Sequence, residues 1–109
     1  MSYMFYKADN IEIDLSLFNS KNVEDMRRMF YHSRDLRVNP LENDSKLLNL
    51  SFLDTSAVTN MNYMFEGSKF TNIDLSNFNT KSVRDMSYMF SECSNLTSLD
   101  LSTFNIEKV

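Results

Sequence analysis

Several residue types recur in this chain at spacings that could do chemistry. Methionines stand three apart in "MSYMF" (2 of them within 1–5), "DMRRMF" (25–30), "NMNYMF" (60–65) and "DMSYMF" (85–90). Thioether sulfurs are ligands that soft Cu(I) selects, and Met-x-x-Met is a spacing that copper-handling segments use. A second column is acidic or amide, Asp14, Asn49, Asp74 and Asp100, and each member is followed two residues on by Ser16, Ser51, Ser76 or Ser102. On strands about 4.8 Å apart such carboxylates would form a like-charge row that calcium or a basic partner could offset. A third column, Tyr3, Tyr63 and Tyr88, is interrupted by Arg28. Aromatic side chains arrayed at repeat spacing can make a ridge for protein or glycan contact. His32 has no second histidine and no serine or cysteine at a triad-like spacing, and Cys93 is the single cysteine. One cysteine makes neither an internal disulfide nor a cysteine-based metal site. The single glycine, Gly67, does not supply a phosphate loop. No enzymatic activity, cofactor or metal is expected.

Each column also has a structural reading. The methionines align as Met1, Met26, Met61, Met86 and as Met4, Met29, Met64, Met89, with Phe5, Phe30, Phe65 and Phe90 next to the second set. Val23, Val58 and Val83 stand three residues ahead of the first set. Methionines that share a face with Val and Phe are adaptable packing material, so this column reads as core and not as copper ligands. The Asp and Ser residues can exchange hydrogen bonds with nearby backbone at a tight corner instead of facing a ligand. The tyrosines can lean over neighbouring repeats, burying their rings while the hydroxyls stay wet. Cys93 reads as a small buried residue in a turn.

The elements that must position these columns follow from the repeat. Upstream of each methionine pair lie "IDLSLFNS" (13–20), "LNLSFLDT" (48–55) and "IDLSNFNT" (73–80), and "LDLSTFNI" (99–106) begins another copy. In "IDLS" the apolar residues alternate, which is the period of a half-buried strand. In "VRDMSYMF" they fall at i, i+3, i+6 and i+7, which predicts a short helix. Asn22 with Asp25, and Ser82 with Asp85, have the spacing of a helix capping box. His32 falls near the C-terminus of its helix, where positive charge is favoured. Units this short cannot bury their faces alone, and stacking them can. The expected fold is α/β, a leucine-rich-repeat-like, right-handed β/α solenoid with four short parallel strands on one face and short helices on the other. It is a single domain over 1–109, in units of about 1–10, 11–36, 47–68, 71–95 and 96–109. A polar insertion at 37–46, "RVNPLENDSK", reads as a surface loop.

The unit, carried by "LTSLDLSTF" (96–104), "TNIDLSNFNTKSVRDMSYMF" (71–90) and Cys93, resembles the BspA-like bacterial surface-protein repeat, a leucine-rich-repeat relative. Departures are local: Ser33 and Gly67 stand in the places of the turn cysteine, Asn49 replaces the usual Asp and Leu53 the usual Phe. The resemblance implies a cell-surface or extracellular location. It also implies a non-catalytic role in adhesion or interaction, with a protein of the host or the envelope as partner. The alternative is a structural spacer within a longer array.

Composition narrows the partners further. A net charge of −4 without a basic run argues against nucleic acid and anionic lipid. There is no apolar run long enough to enter a membrane and no signal peptide pattern. One Gly and one Pro are too few for a sandwich of tight hairpins. The sequence begins inside an expected half-helix and stops at Val109, where the next would start. It reads as a piece of a longer array, or as a molecule whose two ends meet, giving head-to-tail self-association.

Overall fold

The computed structural model describes residues 2–15, 18–38 and 46–108, with the backbone alone of Asn10 and Glu12. Among these residues four short strands form two parallel pairs. Strand β1 (Asp9–Glu12) pairs with β2 (Arg34–Arg37), and β3 (Leu47–Asn49) pairs with β4 (Asn72–Asp74). The register sets Ile11 beside Leu36 and Asn49 beside Asp74. Two of the expected strands thus form, at "LLN" and "NID", where alternating Leu or Ile buries one side. The same alternation at 99–102 makes no strand, and residues 9–12 are extended ahead of "IDLS" rather than within it. Most of the expected insertion lies outside the described residues.

The β/α solenoid with short helices does not form, because among the described residues there is no helix. Each expected helix is a run of overlapping tight turns. The amides of Met29, Tyr31 and Ser33 donate to the carbonyls of Met26, Arg28 and Phe30, three residues back, and the same succession recurs in the 61–68 and 86–93 segments. The alternate amides point to the next repeat instead. Met26, Arg28, Phe30 and His32 donate to Asn60, Asn62, Met64 and Glu66 at 2.8–3.1 Å, and Met61, Tyr63, Phe65 and Gly67 donate to Asp85, Ser87, Met89 and Ser91. Every backbone donor of 26–33 and of 61–68 is therefore satisfied without i→i−4 bonds.

Left-handed backbone enforces this. Tyr3, Arg28, Tyr63 and Tyr88, and four residues later Lys7, His32, Gly67 and Glu92, all have φ between 52° and 68°. An α-helix needs negative φ throughout. Positive φ is what a type II turn requires at its third residue. The conformation costs roughly 1–2 kcal/mol at each non-glycine position, and the interlocked amide row and the core offset it. The capping boxes are replaced too: Asp25 and Asp85 accept from the amides two residues on, of Arg27 and Ser87.

The core runs beneath these turns. Met26, Met29, Met61 and Met64 are fully buried and Met89 nearly so, together with Val58, Val83, Leu48 and Leu53. The methionine column is therefore core in the middle repeats, while Met4 is 41% exposed and Met86 only partly covered. Phe5, Phe30, Phe65 and Phe90 stack almost parallel with centroids 5.4–5.5 Å apart. Offset stacks of this kind add about 0.5–1.5 kcal/mol per pair beyond burial.

Candidate functional site

The Asp/Ser column sits at corners, with its oxygens turned onto its own backbone. Oδ1 of Asn49, Asp74 and Asp100 accepts from the amides of Ser51, Ser76 and Ser102 at 2.9–3.0 Å. Two further columns repeat the device. Asn19, Asp54, Asn79 and Asn105 accept from the amides two residues on at 2.9–3.1 Å, and so do Asp25, Asn60 and Asp85. Asp and Asn alternate freely within each column, so the position requires a side-chain acceptor rather than a charge. Asp14 is exposed, and Ser16 lies outside the described residues. Asp74, Ser76, Asp100 and Ser102 line one shallow groove of about 490 Å³, while Asn49 and Ser51, a repeat earlier, do not reach it. Among the described residues no three His, Cys, Asp or Glu side chains are grouped to hold a metal ion.

These bonds favour the carboxylate form. The Ser56 hydroxyl and amide hold Asp54 below the ordinary carboxylate range, and those of Ser87, with Asn62, do the same for Asp85. The Ser102 amide and hydroxyl lower Asp100. At Asp25 burial works upward, but the hydrogen bonds and charge of Arg27 outweigh it, and the net direction is down.

The tyrosine column forms an outward ridge with the arginine inside it. The Arg28 guanidinium lies 4.6 Å from the Tyr63 ring centroid, 5.4 Å from Tyr31 and 5.9 Å from Tyr3, and it donates to the Tyr3 hydroxyl at 3.3 Å. Tyr63 and Tyr88 stack at 5.0 Å, as do Tyr6 and Tyr31. Tyr88 is 61% and Tyr3 46% exposed, and Tyr63 is half-buried between its neighbours. Tyr6 and Tyr31 join the ridge although they fall outside the Tyr3 column. Their offset of 25 residues, equal to that of Tyr3 and Arg28, was the available signal.

A buried hydroxyl column escapes the sequence reading. Ser20, Thr55 and Thr80 are at most 1% exposed. Each hydroxyl donates to a carbonyl of the next repeat, of Asp54, Asn79 or Asn105, and accepts from the amide of that same residue. The signal is a hydroxyl at one place in "FNS", "LDT" and "FNT".

Cys93 is half-buried and donates its thiol proton to the Phe65 carbonyl at 3.0 Å, with Ser68 Oγ 3.6 Å from its sulfur. Ser68, not Gly67, therefore occupies the place equivalent to Cys93, and Gly67 aligns with His32 and Glu92. His32 is on a left-handed turn rather than a helix end, and its ring lies against Gly67 and Tyr31.

Overlapping tight turns joined by rows of backbone hydrogen bonds, side-chain-capped corners and an exposed aromatic ridge make up the described residues. The chain belongs to the family described as Mycoplasma protein of unknown function, DUF285, which it matches over residues 1–49 and 39–109. Neither the curated proteins nor the solved structures contain a match.

Proposed function

We propose that this chain is a non-catalytic protein-interaction module of the BspA-like surface-repeat kind, acting in adhesion at a bacterial cell surface or outside the cell. The observation that carries the reading is the ridge of Tyr3, Tyr6, Arg28, Tyr31, Tyr63 and Tyr88. Five rings and one guanidinium are held by mutual stacking, on a backbone that is hydrogen-bonded to the segments on both sides at Arg28 and Tyr63. Tyr and Arg are the residue types that dominate contact energy at protein interfaces, and pre-stacking lowers the entropy lost on binding. The Asp/Ser corners serve the backbone, which makes them weaker candidates for contact than the ridge. The net charge of −4 favours a protein partner over nucleic acid.

The test is adhesion of beads coated with the chain to cultured epithelial cells, comparing the natural sequence with the double variant Arg28→Ala, Tyr63→Ala. Urea denaturation establishes first that the variant is folded. Adhesion that falls about tenfold or more supports the ridge as contact surface. Equal adhesion by both proteins would move the contact off the ridge, and no adhesion by either would leave the spacer role as the better account.

A further inference from the structure

The column of Tyr3, Arg28, Tyr63 and Tyr88 changes chemistry at one position. A tyrosine at 28 would continue the ring stack that Tyr63 and Tyr88 form at 5.0 Å. Arg28 puts a fixed positive charge there instead, since a guanidinium stays protonated at any ordinary pH. The side chain is half-buried among the rings of Tyr63, Tyr31 and Tyr3, and its Nη1 donates to the Tyr3 hydroxyl. Ring faces and one phenol oxygen hold the group in place without neutralising it.

The carboxylates of the adjoining turns are engaged elsewhere. Asp25 accepts from Nε and Nη2 of Arg27 at 2.9–3.1 Å. Asp85 accepts from Asn62 Nδ2 at 3.2 Å and from the amide and hydroxyl of Ser87. Among the described residues no carboxylate pairs with Arg28. Arg27, Arg28, Asn62, Tyr3 and Tyr63 line an open cleft of about 130 Å³. Its lining offers two guanidiniums, an amide and two phenols, in a chain whose net charge is −4. The complement of such a lining is one small anionic group, and a carboxylate matches the planar fork of an arginine.

We propose that the cleft at Arg28 anchors the ridge to its partner by taking a Glu or Asp side chain from an acidic segment of a protein. The carboxylate pairs with the guanidinium donors that Tyr3 does not occupy, and the tyrosine hydroxyls beside it bond to the adjoining peptide groups. Ring geometry favours a peptide over an acidic sugar as the carrier of that carboxylate. A sugar packs against the open face of an aromatic ring. Here Tyr63 faces Tyr88, and Tyr6 faces Tyr31, with interplanar angles of 9° and 3°, so these faces are already covered. The negative charge of the chain as a whole opposes an acidic partner only at long range, where physiological salt screens it beyond about 8 Å. A contact pair flanked by rings is screened much less. The proposal rests on the ridge being the contact surface and adds the chemistry that it selects.

The experiment is fluorescence anisotropy of a labelled Glu-rich peptide titrated with the 109-residue chain at about 0.15 M salt. The same peptide with Gln in place of Glu, and hyaluronan as a carboxylated sugar polymer, are run alongside. The Glu peptide should bind at least about tenfold more tightly than the Gln peptide and should not be displaced by hyaluronan. Arg28→Gln should remove that preference, whereas Arg84→Gln, the same charge change on an exposed side chain outside the cleft, should leave it intact. Equal binding of the two peptides, or binding of neither, overturns the proposal. So does an equal loss in both variants, which would make net charge the cause, and displacement by hyaluronan would assign the cleft to a sugar. A thermal melt establishes that the variants fold, and the comparison of peptides and hyaluronan on the natural chain decides the matter even if Arg28→Gln does not. Adhesion that depends on Arg28 and Tyr63 without any preference for the Glu peptide would overturn this proposal and leave the function above standing.

Discussion

Thr55 Oγ1 accepts a hydrogen bond from the amide of Asn79 at 2.8 Å and donates one back to the carbonyl of the same residue at 3.0 Å. One hydroxyl therefore closes both backbone groups of a residue in the next repeat. Ser20 with Asp54, and Thr80 with Asn105, do the same one repeat before and after. The turns in this layer are too tight to meet those groups with backbone alone, so the side chain acts as a missing peptide.

Removing that hydroxyl while keeping its shape should be costly. Thr55→Val leaves the amide and the carbonyl of Asn79 without their partner in a partly buried layer, and each such group costs up to about 1–3 kcal/mol. The expected loss is about 2–4 kcal/mol by urea denaturation. Thr55→Ser, which reproduces the natural Ser20, should lose less than half as much. A valine variant as stable as the natural chain would show that the clamp holds nothing.

The methionine column allows a contrast between position and type. Met64 is fully buried and Met4 is 41% exposed, although both belong to one sequence column. Met64→Ala should destabilise by about 2–5 kcal/mol through lost burial and the cavity left behind, whereas Met64→Leu should cost less than about 1.5 kcal/mol. Met4→Ala, measured in dilute solution, should fall within about 0.5 kcal/mol of the natural chain. Similar losses at Met64 and Met4 would contradict this placement of the core.

The core was legible because Met26, Met29 and Phe30 repeat as a set, and a repeated apolar set has to be buried. The helix was not, because spacings of three and four residues describe a face of a helix and equally a pair of overlapping turns. What separates the two is the sign of φ at Arg28 and His32, and Tyr, Arg, Lys and Glu at those columns give no hint of left-handed backbone. Gly67 alone gave one, and a single glycine is also what a helix end would show. The Asx corners were half legible. Their backbone role follows from Asp and Asn trading places at Asn49 and Asp74, which a search for paired carboxylates passes over. The hydroxyl clamp sits in a polar string whose burial only the stacked repeats reveal.

Acid should weaken the fold through those corners. The carboxyl groups of Asp25, Asp54, Asp85 and Asp100 are all held below their ordinary value of 3.8 in the folded chain. A lowered folded pKa adds stability that is present above the unfolded value and is lost as pH falls through the folded one. The melting temperature should therefore stay level from neutral pH down to about 5 and decline below about 4. Replacing Asp54 and Asp85 together by Asn, the residue that does the same work at Asn60 and Asn79, should flatten the decline with little change at neutral pH. An undiminished acid slope in that variant would place the titration elsewhere.

Gly67 lies under the imidazole of His32: a Cβ built on it would fall 2.5 Å from Nε2 and 2.6 Å from Cδ2, and its φ is +68°. Two effects thus oppose any side chain there, the ring and the left-handed backbone. Gly67→Ala should destabilise by about 1–2 kcal/mol from the backbone effect, with a further cost from moving the ring. The two parts separate in a double-mutant cycle with His32→Ala. With the imidazole removed, Gly67→Ala should still lose the backbone share, and the difference between the cycle's two arms measures the ring. If alanine cost nothing in either background, the turn would not hold left-handed backbone at this position. The non-glycine residues at Arg28 and Tyr63 would then be unstrained as well, and the interlocked amide row would have no strain to offset.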